Sequence, residues 1–328
     1  MKRSVIVTGG CGFIGRAVVE LLLRKGYSPK VIDNLTAPGS RGIAEPECEL
    51  VDADLRDRKA TLDAFEHAGT CIALAARSAG IGFFNKHPAE MLDDNARIVS
   101  NTFEAVRAHR IDKILYVSSS CVFDASPAQP ITETAVDSSP PPPPGYPFSK
   151  YLGEAYCKAY YRQYQLCYVI VRPFNVYGPG ELPGKIPGDS HVIPDLAAKI
   201  LGGQYPLQIF GDGLQTRSFT HVDDIARGIM LAVETPSANG QDFNLGHPRE
   251  TSINELAHVL WRICDRTEPF AVDHLRACEP DVRRRSVDPS RAGSILGWQP
   301  AVELEQGLEQ VVAWMRECDS TGRANLAQ

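Results

Sequence analysis

The sequence predicts an α/β fold, a doubly wound parallel sheet with a smaller C-terminal substrate-binding domain. Three observations carry this. Short β-rich runs alternate with amphipathic stretches through the first half of the chain. A glycine-rich turn joins the first run to the first helix. After Pro173 the alternation gives way to irregular sequence rich in Gly and Pro. A length of 328 residues fits two such parts.

The strands follow in order. Residues 4–8 (SVIVT), 30–33, 49–52, 72–75 and 114–118 are short, apolar and bounded by Gly, Asp or Ser, as buried parallel strands are. Residues 13–25, 59–67 and 88–109 carry helical periodicity between them. A long helix over 146–163 and a strand over 167–172 complete a first domain, 1–172, that binds the cofactor. Residues 173–328 mainly form the second, with a segment near 217–245 returning to the first. Helices are expected there over 192–201, 222–234, 253–262 and 304–318. Five consecutive prolines, Pro140 to Pro144, read as a stiff polyproline II spacer in a surface loop.

Composition excludes several functions. Acidic residues outnumber basic ones 40 to 34, for a net charge of −6, which argues against a general nucleic-acid or membrane-surface role. No apolar run approaches the roughly 18–20 residues that cross a bilayer. The N-terminal MKRSVIVTGG turns into glycines too early for a secretory signal and reads as a first strand. The nine cysteines are scattered, odd in number and without a CxxC pair. They read as reduced cytoplasmic thiols, with no metal site and no disulfide framework.

Chemistry enters at the turn Thr8-Gly9-Gly10-Cys11-Gly12-Phe13-Ile14-Gly15. Glycines at 9, 12 and 15 allow a tight turn, close approach to a pyrophosphate, and packing of helix on sheet. The helix start supplies N–H donors and positive dipole, with Phe13 and Ile14 in its first turn. Asp33, followed by Asn34, closes the second strand, where an acid accepts from a ribose 2′-OH and repels a 2′-phosphate. The pattern therefore predicts a Rossmann-type site for NAD rather than NADP. Asp54 and Leu55 end the third strand where adenine would lie; a cap for a helix over 56–64 is the other reading of Asp54.

Tyr146 and Lys150 stand four apart, on one face of a helix. An ammonium near a phenol lowers the phenol pKa and makes a base usable near neutral pH. Ser119, at the end of the fifth strand, is the natural hydroxyl partner.

With these residues, Leu74-Ala75-Ala76, Ser118-Ser119-Ser120 and Arg172-Pro-Phe-Asn-Val-Tyr-Gly-Pro179, the chain resembles the extended short-chain dehydrogenase/reductases. More narrowly it resembles their nucleotide-sugar epimerase/dehydratase family, from the N-terminus to about Trp314. The resemblance implies a tightly held, recycled NAD, touched also by Leu74, Ala75 and Ala76. It implies an NDP-sugar substrate and a homodimer joined through the helices over 88–109 and 146–163. Carried over by position, Asn175 contacts the sugar or its diphosphate. Arg217 and the Arg283–Arg285 cluster bind the diphosphate, for which a planar guanidinium fork is suited.

The shared reaction of that family begins by oxidising a sugar carbon, usually C4, with Tyr146 taking the hydroxyl proton. Its 4,6-dehydratases carry an Asp-Glu pair where this chain has Ser120 and Cys121, which argues against dehydration. Ser119-Ser-Cys121-Val resembles instead the strand ends of GDP-L-fucose synthases and GDP-mannose 3,5-epimerases, whose cysteine is an acid/base at C3 and C5. Asp189-Ser-His191-Val-Ile-Pro194 resembles the synthase segment with the second acid/base. Inverting a carbon beside a ketone needs a base on one face and an acid on the other. A thiol and an imidazole both titrate near working pH. Asp33 points to bound NAD, hence to epimerisation without net reduction. A C4 epimerase and a synthase-like epimerase/reductase remain open, as does the role of Lys185, which precedes His191 and could reach substrate. His221 reads as structural.

Overall fold

The computed structural model describes residues 4–37, 48–78, 80–184, 190–277 and 282–320. In chain order, β1 (Ser4–Thr8), α1 (Phe13–Arg24), β2 (Ser28–Asp33), β3 (Glu49–Asp52), α2 (Arg58–Ala64) and β4 (Thr70–Ala73) come first. Then follow α3 (Ile81–Lys86), α4 (Pro88–Ala108), β5 (Lys113–Val117), a short α5 (Ala135–Ser138), α6 (Tyr146–Tyr164) and β6 (Cys167–Pro173). Next are β7 (Val176–Tyr177), α7 (Val192–Leu201), β8 (Leu207–Phe210), β9 (Thr216–Arg217), β10 (Thr220–His221), α8 (Val222–Glu234) and β11 (Asp242–Leu245). The chain continues through β12 (Thr251–Ser252), α9 (Ile253–Ile263), β13 (Val272–Leu275), β14 (Arg284–Arg285), α10 (Ser290–Leu296) and α11 (Leu304–Ser320).

Seven strands form one parallel sheet in the order β11-β6-β5-β4-β1-β2-β3. The alternation of side chains along each strand feeds two cores. Val5 and Val7 face α1 and α8 with Leu22, Ile225 and Ile229. Ile6 faces the other side, with Phe103, Val106 and Cys157 of α4 and α6. A third core joins α7, α9 and α11 through Leu196, Leu256, Leu260, Leu308 and Val312. The strand order reverses between β1 and β4, and a doubly wound sheet binds its ligands beyond the strand ends at such a point.

Several boundaries differ from expectation for local reasons. The fourth strand stops at Ala73, because Ala75 N–H turns to the Thr8 hydroxyl (3.3 Å) instead of continuing the ladder. The helix expected over 59–67 ends at Ala64, and Phe65 turns extended to bury itself in the core. Its cap is Asp57, which accepts from Ala60 N–H at 2.9 Å, so Asp54 is not the cap. Ser252 caps α9 by accepting from Glu255 N–H at 3.1 Å, and His221 caps α8. Among the described residues no helix is long and apolar enough to cross a membrane.

Candidate active site

A cleft of about 530 Å³ lies at the C-terminal ends of β1, β4, β5 and β6, with α7, β8, β9 and β14 forming its opposite wall. Its cofactor end is the glycine turn. Gly9 has φ +71°, and a Cβ there would lie 2.7 Å from Ala75 Cα; at Gly15 it would lie 2.1 Å from Gly9 O. Backbone this close tolerates no side chain, which is why the turn is glycine. The start of α1 has no side-chain cap and no acidic residue in its first turn, so its polarity is left for an anion. Gly9, Phe13, Ile14, Gly15, Leu74 and Ala76 line the cleft. These features fit the pyrophosphate of a dinucleotide.

The adenosine side lies at the ends of β2 and β3. Asp33 is 8% exposed and accepts from Cys11 N–H (3.0 Å) and Leu35 N–H (2.9 Å), tying the glycine turn to the end of β2. A carboxylate has about four lone-pair sites, so acceptor capacity remains for a ribose hydroxyl. Asn34 accepts from Thr36. Asp54 is held by the Arg56 guanidinium, whose hydrogen bonds pull its carboxyl below the usual range, and Leu55 is buried in the core. Gly12, Ala75 and these four residues stand beside the cleft rather than on its wall. The Asp54 side chain is 36% exposed at the end of β3, while Leu55 is buried beneath it.

At the reacting end, Tyr146 is the first residue of α6 and Lys150 follows one turn later. The helix is fixed to β5 by close packing. A Cβ on Gly153 would lie 2.1 Å from the Tyr116 ring, so only glycine permits this approach. Lys150 Nζ donates to Val117 O at 2.9 Å and lies 5.7 Å from the centre of the Tyr146 ring. Ser119 bonds the Tyr146 phenol and its Oγ accepts from Cys121 N–H at 3.2 Å. The expected lowering of the phenol by Lys150 is corrected here. Burial pushes the phenol up, Cys121 adds to the rise, and the Ser119 bond opposes it. Burial also lowers the Lys150 ammonium to about 8. Desolvation by the packing around the phenol sets the direction of its shift.

Cys121 lies in a tight 3₁₀ turn, Ser120–Phe123, directly after β5. Arg285 Nη1 stands 3.8 Å from its sulfur, and the same guanidinium pairs with Asp124. Burial and Asp124 push the thiol up, while Arg285, Ser119 and Arg217 pull it down. Arg217 and Arg285 are neighbours in register on β9 and β14, and both line the cleft. Asn175, at φ +37°, donates to Ser218 O at 3.1 Å and also lines it.

His191 precedes α7 on the facing wall. Its side chain is 58% exposed, and Nδ1 bonds the largely buried Glu181 carboxylate, which raises the imidazole pKa. Thiol and imidazole thus enter one cleft from different elements. Arg283 does not join them. It precedes β14, is 62% exposed and is paired with Asp212, away from the cleft wall. Alternation along β14 sends Arg284 to Glu250 and Arg285 inward. Lys185 and Asp189 lie outside the described residues.

Sequence reasoning missed Glu181, Asp124 and two of the prolines. Asp124 was recoverable, since residues three apart eclipse in a 3₁₀ turn. Glu181 stands ten residues before His191 in irregular chain, where no periodicity signals a pairing. Pro143 and Pro144 line the cleft beside Tyr146, so the proline run is part of the site wall and not only a spacer.

A family model described as the NAD dependent epimerase/dehydratase family matches residues 5–246. A Methanocaldococcus jannaschii protein provisionally named UDP-glucose 4-epimerase is 34% identical over 97% of this chain and all of its own length. GDP-L-fucose synthase 1 of Arabidopsis thaliana is 29% identical over 95% of this chain and 93% of its own. Among solved structures, a double mutant of the dTDP-glucose 4,6-dehydratase of Streptomyces venezuelae with NAD bound superposes with a TM-score of 0.86. It is 27% identical, with 99% of both chains covered.

Proposed function

Because the chain belongs to the NAD dependent epimerase/dehydratase family, we propose that it is a nucleotide-sugar epimerase that inverts C3, C5 or both through a transient 4-ketone, on a GDP-type or other NDP-hexose. Bound NAD supplies the oxidising and reducing equivalents at C4. The glycine turn and the start of α1 hold its pyrophosphate, and Asp33 its ribose. Tyr146 removes the C4 hydroxyl proton and later returns it. Ser119 orients the phenol, and Lys150 keeps a positive charge near it. Protons at carbons beside the ketone are acidified, and Cys121 and His191 take and return them from the two faces of the ring. Arg217 and Arg285 grip the diphosphate, with Asn175 beside it.

One observation carries this reading: Cys121, with Arg285 against its sulfur, and His191, held by Glu181, line the same cleft as Tyr146. Ser120 and Cys121 offer no carboxylate of the kind a dehydratase uses. A second reading, C4 epimerisation alone, is favoured by the name of the Methanocaldococcus jannaschii relative and needs only Tyr146, Lys150, Ser119 and room for the ketone to rotate. A synthase-like reductase is disfavoured by Asp33, which repels the 2′-phosphate of NADPH.

The test is solvent deuterium exchange into GDP-, UDP-, dTDP- and CDP-hexoses. Label at C3 or C5, lost in Cys121→Ser with NAD retained, is the expected result. Turnover without solvent label overturns it and leaves the C4 epimerase. We also propose a cytoplasmic homodimer through α4 and α6, where Tyr161 and Tyr164 are 48% and 46% exposed. Light scattering that gives a monomer mass overturns the dimer.

A further inference from the structure

The cleft continues past the reacting centre along α7. Asp195 and Lys199 follow His191 by one and two turns, so Lys199 lies about 12 Å further along the helix axis. Both line the cleft, with Phe210, Ile209 and Leu196 around them. Asp195 Oδ2 and Lys199 Nζ are 2.7 Å apart, and the side chains are 20% and 14% exposed. Lys199 also donates to Gln208 O of β8 at 3.2 Å and lies 5.4 Å from the centre of the Phe210 ring. A Lys–Asp pair at this spacing is ordinarily a solvated surface feature of little consequence. Here it is fastened to the facing strand and turned into a recess with apolar walls. An ammonium has three donors, of which two are used among the described residues. The second Asp195 oxygen accepts no bond among the described residues. The recess therefore offers one N–H donor beside one carboxylate acceptor, with an aromatic ring alongside.

On the nucleotide-sugar reading above, the sugar lies at Tyr146 and the diphosphate at Arg217 and Arg285, which leaves this recess for the nucleoside. We infer that Lys199 and Asp195 read the base and select one with a lactam edge, a ring carbonyl beside a ring N–H. Guanine, uracil and thymine carry that edge; cytosine and adenine do not. A base entering from the reacting centre brings its exocyclic group to the more distant Lys199 and its ring nitrogen to Asp195. In a lactam the carbonyl accepts from Lys199 and the ring N–H donates to Asp195. In cytosine or adenine the exocyclic amine faces the ammonium and a bare ring nitrogen faces the carboxylate. Both contacts are then mismatched, and each partly buried group loses a partner.

Calorimetric titration of GDP, UDP, dTDP, CDP and ADP into the NAD-loaded protein tests this, and needs no turnover. The best lactam base should bind about tenfold or more tightly than CDP and ADP, since a site built around hydrogen bonds rejects a ligand that cannot make them. Asp195→Asn and Lys199→Met, each with unchanged NAD content, should narrow that gap to within about threefold, because each removes one half of the reading pair. CDP or ADP binding as tightly as the best lactam base overturns the inference. So do variants that weaken all five ligands equally and leave the gap intact, since the pair would then only join α7 to β8. Failure of every nucleoside diphosphate to bind overturns the nucleotide-sugar reading itself.

Discussion

Glu154 and Arg172 hold each other through two hydrogen bonds, Nε to Oε1 and Nη2 to Oε2, each 2.7 Å, with side chains 2% and 0% exposed. Glu154 Oε1 also accepts from Ser118 Oγ at 2.6 Å, and Arg172 Nη1 donates to Asp242 at 2.7 Å. Four elements meet here: α6, the end of β5, β6 and β11. Lys150, one turn before Glu154, bonds the carbonyl of Val117, so two successive turns of α6 are tied to the last residue of β5 and the one that follows it. The next residue is Ser119. The ion pair thus fixes the distance between the phenol and its hydroxyl partner.

Removing Glu154 should destabilise strongly, because it leaves the fully buried Arg172 with only the more exposed Asp242 as an ion partner. Glu154→Ala should cost about 3–5 kcal/mol in urea unfolding. Glu154→Gln keeps the shape and the bond to Ser118 while losing the charge. We expect it to fold, retain NAD, and turn over more slowly with little change in KM. An unchanged kcat in Glu154→Gln would limit the pair to stability.

Tyr146→Phe deletes the phenol hydroxyl and nothing else from α6. Turnover should fall by about 10²–10⁴-fold, the range for loss of a general acid/base. NAD content, read from the absorbance of denatured protein, should be unchanged. A variant with near-normal turnover would assign the proton transfer to another group.

The Glu181 carboxylate raises the His191 pKa by favouring the imidazolium. A raised folded value means the pair's stabilisation is fully present below the unfolded histidine pKa, about 6.5, and is lost as pH rises through the folded value. In Glu181→Gln the imidazole should titrate at lower pH. The limb of the pH–rate profile that reports His191 should move the same way. Proton NMR of the ring checks the first and C3/C5 exchange rates the second. An unmoved titration would show that solvent, reaching a ring 58% exposed, screens the pair completely.

Gly15→Ala places a methyl where a Cβ meets Gly9 O at 2.1 Å. The turn must open, and both packing and pyrophosphate approach suffer. NAD affinity should fall about tenfold or more, since every 1.4 kcal/mol of strain is a factor of ten, with a lower Tm. Normal NAD retention in Gly15→Ala would mean that the turn yields without loss of its donors.

The sequence by itself determined what depends on near neighbours. Residues 4–15 encode a strand, a tight turn and a helix start through their own backbone needs, and they form as the pattern implies. The spacing of Tyr146 and Lys150 sets their common helix face, and Asp33 stands at the end of β2 as its strand pattern requires. Helices 192–201 and 222–234 are likewise bounded as their patterns indicate. Only the tertiary structure decided which distant groups meet. Arg285 reaches Cys121 across 164 positions of sequence, while its neighbour Arg283 turns to Asp212, a division no run of three arginines specifies. Glu181 finds His191 through a loop without periodicity. The Tyr146 phenol is pushed up rather than down, because desolvation is a property of everything packed around a group and spacing reports only one neighbour.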